Sequence, residues 1–224
     1  MIVYLGARDA ERGRAAARDL NARAGADVRF VRLDVTEEAQ IAAAVRRVDE
    51  ECGRLDVLVN NAGVVVEWGV PVQEVTTEQL RRVFDVNVFG AAAMTRACVP
   101  LLRRSTAGQV VNLSSPLGSL SLLSDPDDPV STRGLLAYSS SKAALNAITV
   151  LYANALRDDS ICVNAANPGL VATDLNAPSQ FGRGVRTAEQ GAEVPVALAL
   201  MGADGPTGAF CGDNDSSVDA TVPW

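Results

Sequence analysis

Apolar positions along the chain fall into two alternating rhythms. Short runs rich in β-branched residues recur between longer stretches with helical apolar spacing. Ile2–Leu5 reads as a strand, Asp9–Ala24 as an Ala/Arg-rich helix closed by Gly25, and Val28–Leu33 as a second strand. A helix over Glu37–Glu51 follows, with Thr36 as its cap and Gly53 as its stop. Leu55–Val59 is apolar throughout, the pattern of a strand buried on both faces. Thr77–Arg104 reads as a long helix or helix pair, Gln109–Leu113 as a strand, Leu135–Arg157 as a long helix and Ile161–Ala165 as a strand. A helix over Thr187–Met201 and a short strand at Ala209–Cys211 complete the pattern. Strands alternating with helices, without hairpin signals, predict one α/β domain spanning residues 1–224: a Rossmann-like, doubly wound parallel sheet with helices on both faces.

Composition narrows the function. Among 224 residues the net charge is −7 and no basic tract occurs, so nucleic acid is not the expected partner. No apolar run is long enough to span a bilayer, and no signal-peptide pattern opens the sequence. A cytoplasmic location without membrane contact is expected. Cys52, Cys98, Cys162 and Cys211 are scattered and read as small buried hydrophobes. Histidine is absent, which removes every Ser–His or Cys–His pair and every histidine metal site.

Of the 20 basic residues 19 are arginine, and the one lysine is Lys142. It falls four residues after Tyr138, although with three tyrosines in the chain only three positions meet that condition. On a helix the two share a face. A free tyrosine, with a pKa near 10, is a poor acid–base group at neutral pH, and a nearby ammonium favours its phenolate. In open α/β sheets ligands sit at the carboxyl ends of the strands. Arg8, Asp34, Asn60–Gly63, Ser114–Ser115 and Asn167–Gly169 each follow an expected strand. Ser115 is either a hydroxyl for a substrate carbonyl or a cap after its strand. Asn87, unusual inside a helix, is either a backbone-binding asparagine or a water-holding relay behind Lys142.

The segments N-N-A-G, N-V-F-G, V-V-N-L-S-S, Y-S-S-S-K and N-P-G-L-V-A-T, in that order, resemble the short-chain dehydrogenase/reductase family over essentially the whole chain. The ending G-A-F-C-G-D through V-P-W and the insert Leu122–Arg133 are most similar to its carbonyl-reductase-like branch. The resemblance implies that Ser115 orients a carbonyl, Tyr138 donates the proton, Lys142 lowers the Tyr138 pKa and binds the nicotinamide ribose, and Asn87 completes a relay to solvent. It also implies that Asn61, Ala62 and Gly63 line the adenosine ribose and that Asp34 and Val35 flank the adenine. Pro168, Gly169, Val171 and Thr173 would hold the carboxamide and diphosphate. The implied reaction is hydride transfer between a nicotinamide cofactor and a small carbonyl or alcohol.

NADP is expected over NAD. An NAD site usually places an acid at the tip of the strand formed here by Ile2–Leu5. Arg8 stands there instead and suits a 2′-phosphate, while Asp9 begins a helix.

Against the family, the first strand, glycine-rich turn and first helix are absent, about 30 residues in all. The turn normally presents backbone N–H groups to the pyrophosphate. The missing strand belongs between Ile2–Leu5 and Leu55–Val59, so two inner strands should have unpaired edges. Either Met1 is an internal start of a complete enzyme, or the short chain is a non-catalytic relic or interaction protein with weak or no nucleotide binding. The retained catalytic set favours the first. Leu175–Ala188, with Pro178, Phe181, Gly182 and Gly184, reads as a mobile lid that sets the substrate. The insert favours a monomer over a homo-oligomer.

Overall fold

The computed structural model describes residues 1–23, 26–179, 182–212 and 220–224. Gly25, Phe181 and Asp213, which the sequence reading invoked, lie outside the described residues. In order, the elements are β1 (Ile2–Ala7), α1 (Ala10–Ala22), β2 (Asp27–Arg32), α2 (Glu38–Cys52), β3 (Val57–Asn60), α3 (Thr77–Phe84), α4 (Ala91–Leu102), β4 (Gly108–Leu113), α5 (Leu120–Ser124), α6 (Leu136–Ala155), β5 (Ile161–Ala166), α7 (Ala188–Ala199) and β6 (Phe210–Cys211).

All strand pairs are parallel. The sheet is nevertheless in two pieces: β1 pairs with β2, while β3, β4, β5 and β6 pair in sequence order. The break falls between β1 and β3: among the described residues β1 pairs with β2 alone and β3 with β4 alone. Its consequence is visible in the side chains. Ile2, Val3 and Val59 are each about two-fifths exposed, at 41%, 43% and 43%. The expectation that Leu55–Val59 is buried on both faces therefore fails at Val59. An apolar strand stays buried only where a neighbour and covering helix exist.

Elsewhere the sheet is covered on both sides. Alternate residues of β4 point to opposite faces. Val110 joins Leu58, Val163, Met94, Cys98, Leu102 and Ala153 in a core against α4 and α6. Val111 joins Ala166, Val194, Leu198 and Cys211 against α7. These two clusters make the doubly wound architecture.

The helix ends follow side-chain chemistry. Asp9 caps α1 by accepting from the amides of Glu11 and Arg12, an arrangement worth about 1 kcal/mol. Thr187 caps α7 and Thr76 caps α3, each with the reciprocal glutamine of a capping box. Thr36 does not cap α2 as expected. Glu37 occupies that position, and the Thr36 amide and hydroxyl both donate to Asp34 Oδ1. The insert Leu122–Arg133 begins within α5, whose Ser121 amide and hydroxyl both donate to the Trp224 carbonyl. Cys98, Cys162 and Cys211 are buried, but Cys52 is exposed beside the Tyr4 hydroxyl.

Candidate active site

The site is built where β4 ends and α6 begins. Ser114 Oγ donates to Asn146 Oδ1 at 2.6 Å, and Asn146 Nδ2 donates to the Gly118 carbonyl at 3.1 Å. The turn after β4 is thereby fastened to α6. A Cβ at Gly118 would lie 2.6 Å from the carbonyl carbon and the Cβ of Lys142, so only glycine allows this approach. The same contact brings Ser115 against Tyr138 and Lys142 against the end of β4. Ser115 Oγ also accepts from the Leu117 amide at 3.2 Å.

Tyr138 and Lys142 lie one turn apart on α6 and both are buried. Lys142 Nζ donates to the Leu113 carbonyl at 2.6 Å and stands 5.5 Å from the centroid of the Tyr138 ring. Burial pushes Tyr138 up to about 12; the Ser115 hydroxyl pulls it down, and the charge of Glu67 pushes it further up. Burial brings Lys142 down to about 8. This reverses the sequence expectation for Tyr138. Burial is the largest influence on the phenol, and the Lys142 ammonium donates to the Leu113 carbonyl. A lowered phenol requires Lys142 to carry its full charge while groups in the site solvate the phenolate.

Asn87 lies in a π-helical stretch, Asp85–Gly90, between α3 and α4. Such a bulge widens a helix by one residue. The buried Asn87 side chain accepts from the Val64 amide (2.9 Å) and donates to the Val64 carbonyl (3.1 Å) and to Ser141 Oγ (3.0 Å). It thus pins the loop after β3 to α6. A Cβ at Gly63 would sit 3.6 Å from Asn87 Oδ1 and 3.7 Å from Lys142 Nζ, so Asn87, Gly63 and Lys142 converge.

The expected cofactor residues line the strand exits. Arg8 follows β1 and is exposed; its charge, after the Thr36 amide and hydroxyl, helps hold the Asp34 carboxyl below its usual range. Val35 packs so closely on Gly90 that a Cβ there would meet Val35 Cγ2 at 2.6 Å. Asn61 and Ala62 are exposed beyond β3. After β5, Asn167 Oδ1 accepts from the Gly169 amide at 2.9 Å, and Gly169 adopts φ 71°, a left-handed turn open to glycine. Pro168 and Thr173 are partly exposed around it, and the buried Val171 forms a bridge with Arg186. That bridge, with the Trp68 indole N–H donating to the Leu175 carbonyl at 3.2 Å, fastens the base of the expected lid.

A nicotinamide nucleotide fits one end of this donor set. An ammonium, a phenol and a hydroxyl converge at the end of β4, and the glycine turn after β5 lies against Arg186. The diphosphate fits less well, because the described residues contain no glycine-rich turn between a strand and a helix.

Two parts of the site's framework, a buried polar chain and Glu67, were not anticipated from the sequence. Asn60 Nδ2 donates to Thr95 Oγ1 and Asn112 Oδ1, and Asn112 Nδ2 donates to Thr149 Oγ1. This buried polar chain fixes β3, β4, α4 and α6 in register. A run of buried-type positions occupied by Asn and Thr is its only sequence signal. Glu67, wholly buried, accepts from the Tyr138 amide at 2.7 Å.

Comparison with known proteins matches this arrangement. Residues 1–183 match the family profile described as short chain dehydrogenase. The chain belongs to the short-chain dehydrogenase/reductase family, a family of oxidoreductases. It is 34% identical over 204 residues to the short-chain dehydrogenase anuI of Penicillium roqueforti, covering 89% of this chain and 79% of that protein. The solved structure of salutaridine reductase from Papaver somniferum superposes with a TM-score of 0.77 at 31% identity, covering 93% of this chain and 90% of that one. The NADPH-bound carbonyl reductase from chicken fatty liver gives 0.81 at 25% identity, covering 100% and 88%. Among the described residues no helix is long and apolar enough to cross a membrane.

Proposed function

We propose that the protein is an NADP-dependent oxidoreductase acting on a small carbonyl or alcohol, with Tyr138 as general acid and base. The observation that carries this reading is the convergence of Ser115, Tyr138 and Lys142 where β4 meets α6. When bound, the nicotinamide supplies or accepts the hydride at the substrate carbon. Ser115 holds the carbonyl oxygen beside the phenol, and Tyr138 gives that oxygen its proton in reduction or takes it back in oxidation. Lys142 binds the ribose, supports the phenolate with its charge, and passes the proton towards Asn87. Tyr138 and Lys142 are both buried, which limits competition from water.

NADP is favoured by what Arg8 and Asp9 do. Asp9 spends its carboxylate on the amides of Glu11 and Arg12 and does not offer it to a ribose hydroxyl. Arg8 is exposed beside Asp34 and suits a 2′-phosphate. The chicken carbonyl reductase is described as NADPH-bound, which supports the same choice.

A second reading, a non-catalytic protein with weak nucleotide binding, draws on the break between β1 and β3. Loss of NADPH absorbance on mixing with a panel of small ketones and aldehydes separates the two. Turnover that disappears in Tyr138→Phe supports the enzyme; a folded chain without turnover on any of them supports the alternative.

A further inference from the structure

We propose that Glu67 is a positioning residue for Tyr138: its buried carboxylate caps the amide of Tyr138 from a distant loop and sets the field in which the phenol exchanges its proton. The inference rests on the reading of Tyr138 as the proton donor.

The helix that carries Tyr138 starts without help from its own sequence. Leu135 occupies the capping position of α6 and offers no side-chain acceptor. The first amides of any helix need acceptors from elsewhere. Glu67, 71 residues earlier, supplies one: its Oε1 accepts from the Tyr138 amide at 2.7 Å, and its Oε2 accepts from the Val66 amide at 3.2 Å. No arginine or lysine forms an ion pair with Glu67 among the described residues, although its side chain is fully buried. A buried carboxylate is costly unless specific donors hold it. Here both donors are backbone amides, and one belongs to the proton-donating residue. A negative charge at a helix N-terminus also answers the helix dipole.

The charges around the phenol are few. On α6 itself the charged group is Lys142. From the loop after β3 it is Glu67, and from the turn after β4 the neutral Ser115 faces it. The π-helical stretch contributes the neutral Asn87 through Ser141, while its Asp85 is exposed. Glu78, Arg81 and Arg82 of α3 are exposed, and β5 carries no charged residue. Glu67 and Lys142 therefore oppose each other. The carboxylate keeps the phenol protonated and the ammonium favours the phenolate.

Two substitutions separate the cap from the charge. Glu67→Gln keeps an oxygen for the Tyr138 amide and removes the charge. Glu67→Val removes both. The first readout is the ultraviolet phenolate transition of Tyr138, isolated by subtracting Tyr138→Phe in each background. The second is hydrogen exchange at the Tyr138 amide. Neither needs turnover, so both stand if the proposed oxidoreductase activity fails. Glu67→Gln should move the phenolate midpoint down by at least about half a pH unit with the amide still protected. Glu67→Val should speed exchange at Tyr138 by about tenfold or more. An unmoved midpoint in Glu67→Gln overturns the proposal, as does an equally protected amide in Glu67→Val. If Glu67→Val does not fold, the Glu67→Gln midpoint decides alone. In an active enzyme, Glu67→Gln should also move the alkaline limb of carbonyl reduction to lower pH, which a purely structural contact would leave in place.

Discussion

Lys142 Nζ donates to the Leu113 carbonyl at 2.6 Å, so the cation of α6 is tied to the last residue of β4. A long side chain from α6 thus reaches the strand end where substrate and cofactor are expected. It does so at a cost, since burial brings the ammonium down to about 8.

The pH dependence of that cost can be measured. The folded pKa lies below the unfolded value near 10.5, so the unfolded chain binds more protons between the two. Wild-type stability should therefore rise with pH across about 8 to 10.5, relative to Lys142→Met, by on the order of 3 kcal/mol. Urea unfolding of both proteins at several pH values checks this. A constant difference would contradict it.

Lys142→Arg keeps the charge but puts a broad planar fork where a compact ammonium meets one carbonyl. NADPH affinity and turnover should each fall by about tenfold or more. Unchanged kinetics would refute the assignment of the single lysine.

Asn87→Ala removes three hydrogen bonds and leaves the Val64 amide and carbonyl without their partner. The expected loss is roughly 2–4 kcal/mol in denaturant unfolding. Turnover should fall as well, because Gly63 and Lys142 depend on that loop.

Gly118→Ala forces a methyl group to within 2.6 Å of the Lys142 backbone. The turn after β4 must shift, at about 1–3 kcal/mol. Ser115 moves with it, so reduced turnover should accompany only slightly altered NADPH binding.

Much of this site was legible in residue types and spacing. The Tyr138–Lys142 pair, the serine after β4 and the order of strands and helices follow from periodicity and from motifs set at strand ends. Asn87 was visible as an anomaly, although its π-helical setting was not, because an extra residue in a helix leaves no periodic mark. Unpaired edges on β1 and β3 were also expected, and the two strands do lie in separate sheets, with Ile2, Val3 and Val59 exposed. Glu67 was hidden because a glutamate in a loop reads as solvated. Only the fold reveals that its partner lies 71 residues away. The direction for Tyr138 was misjudged for a related reason. Sequence shows that a lysine is near, but not how deeply both groups are buried.

Calorimetric titration of the 224-residue chain with NADPH and, separately, NADH tests the central claim most directly. The account expects micromolar binding of NADPH, weaker binding of NADH, and loss of that preference in Arg8→Ala. A folded chain that binds neither nucleotide would contradict the proposed NADP-dependent activity and leave the non-catalytic reading standing.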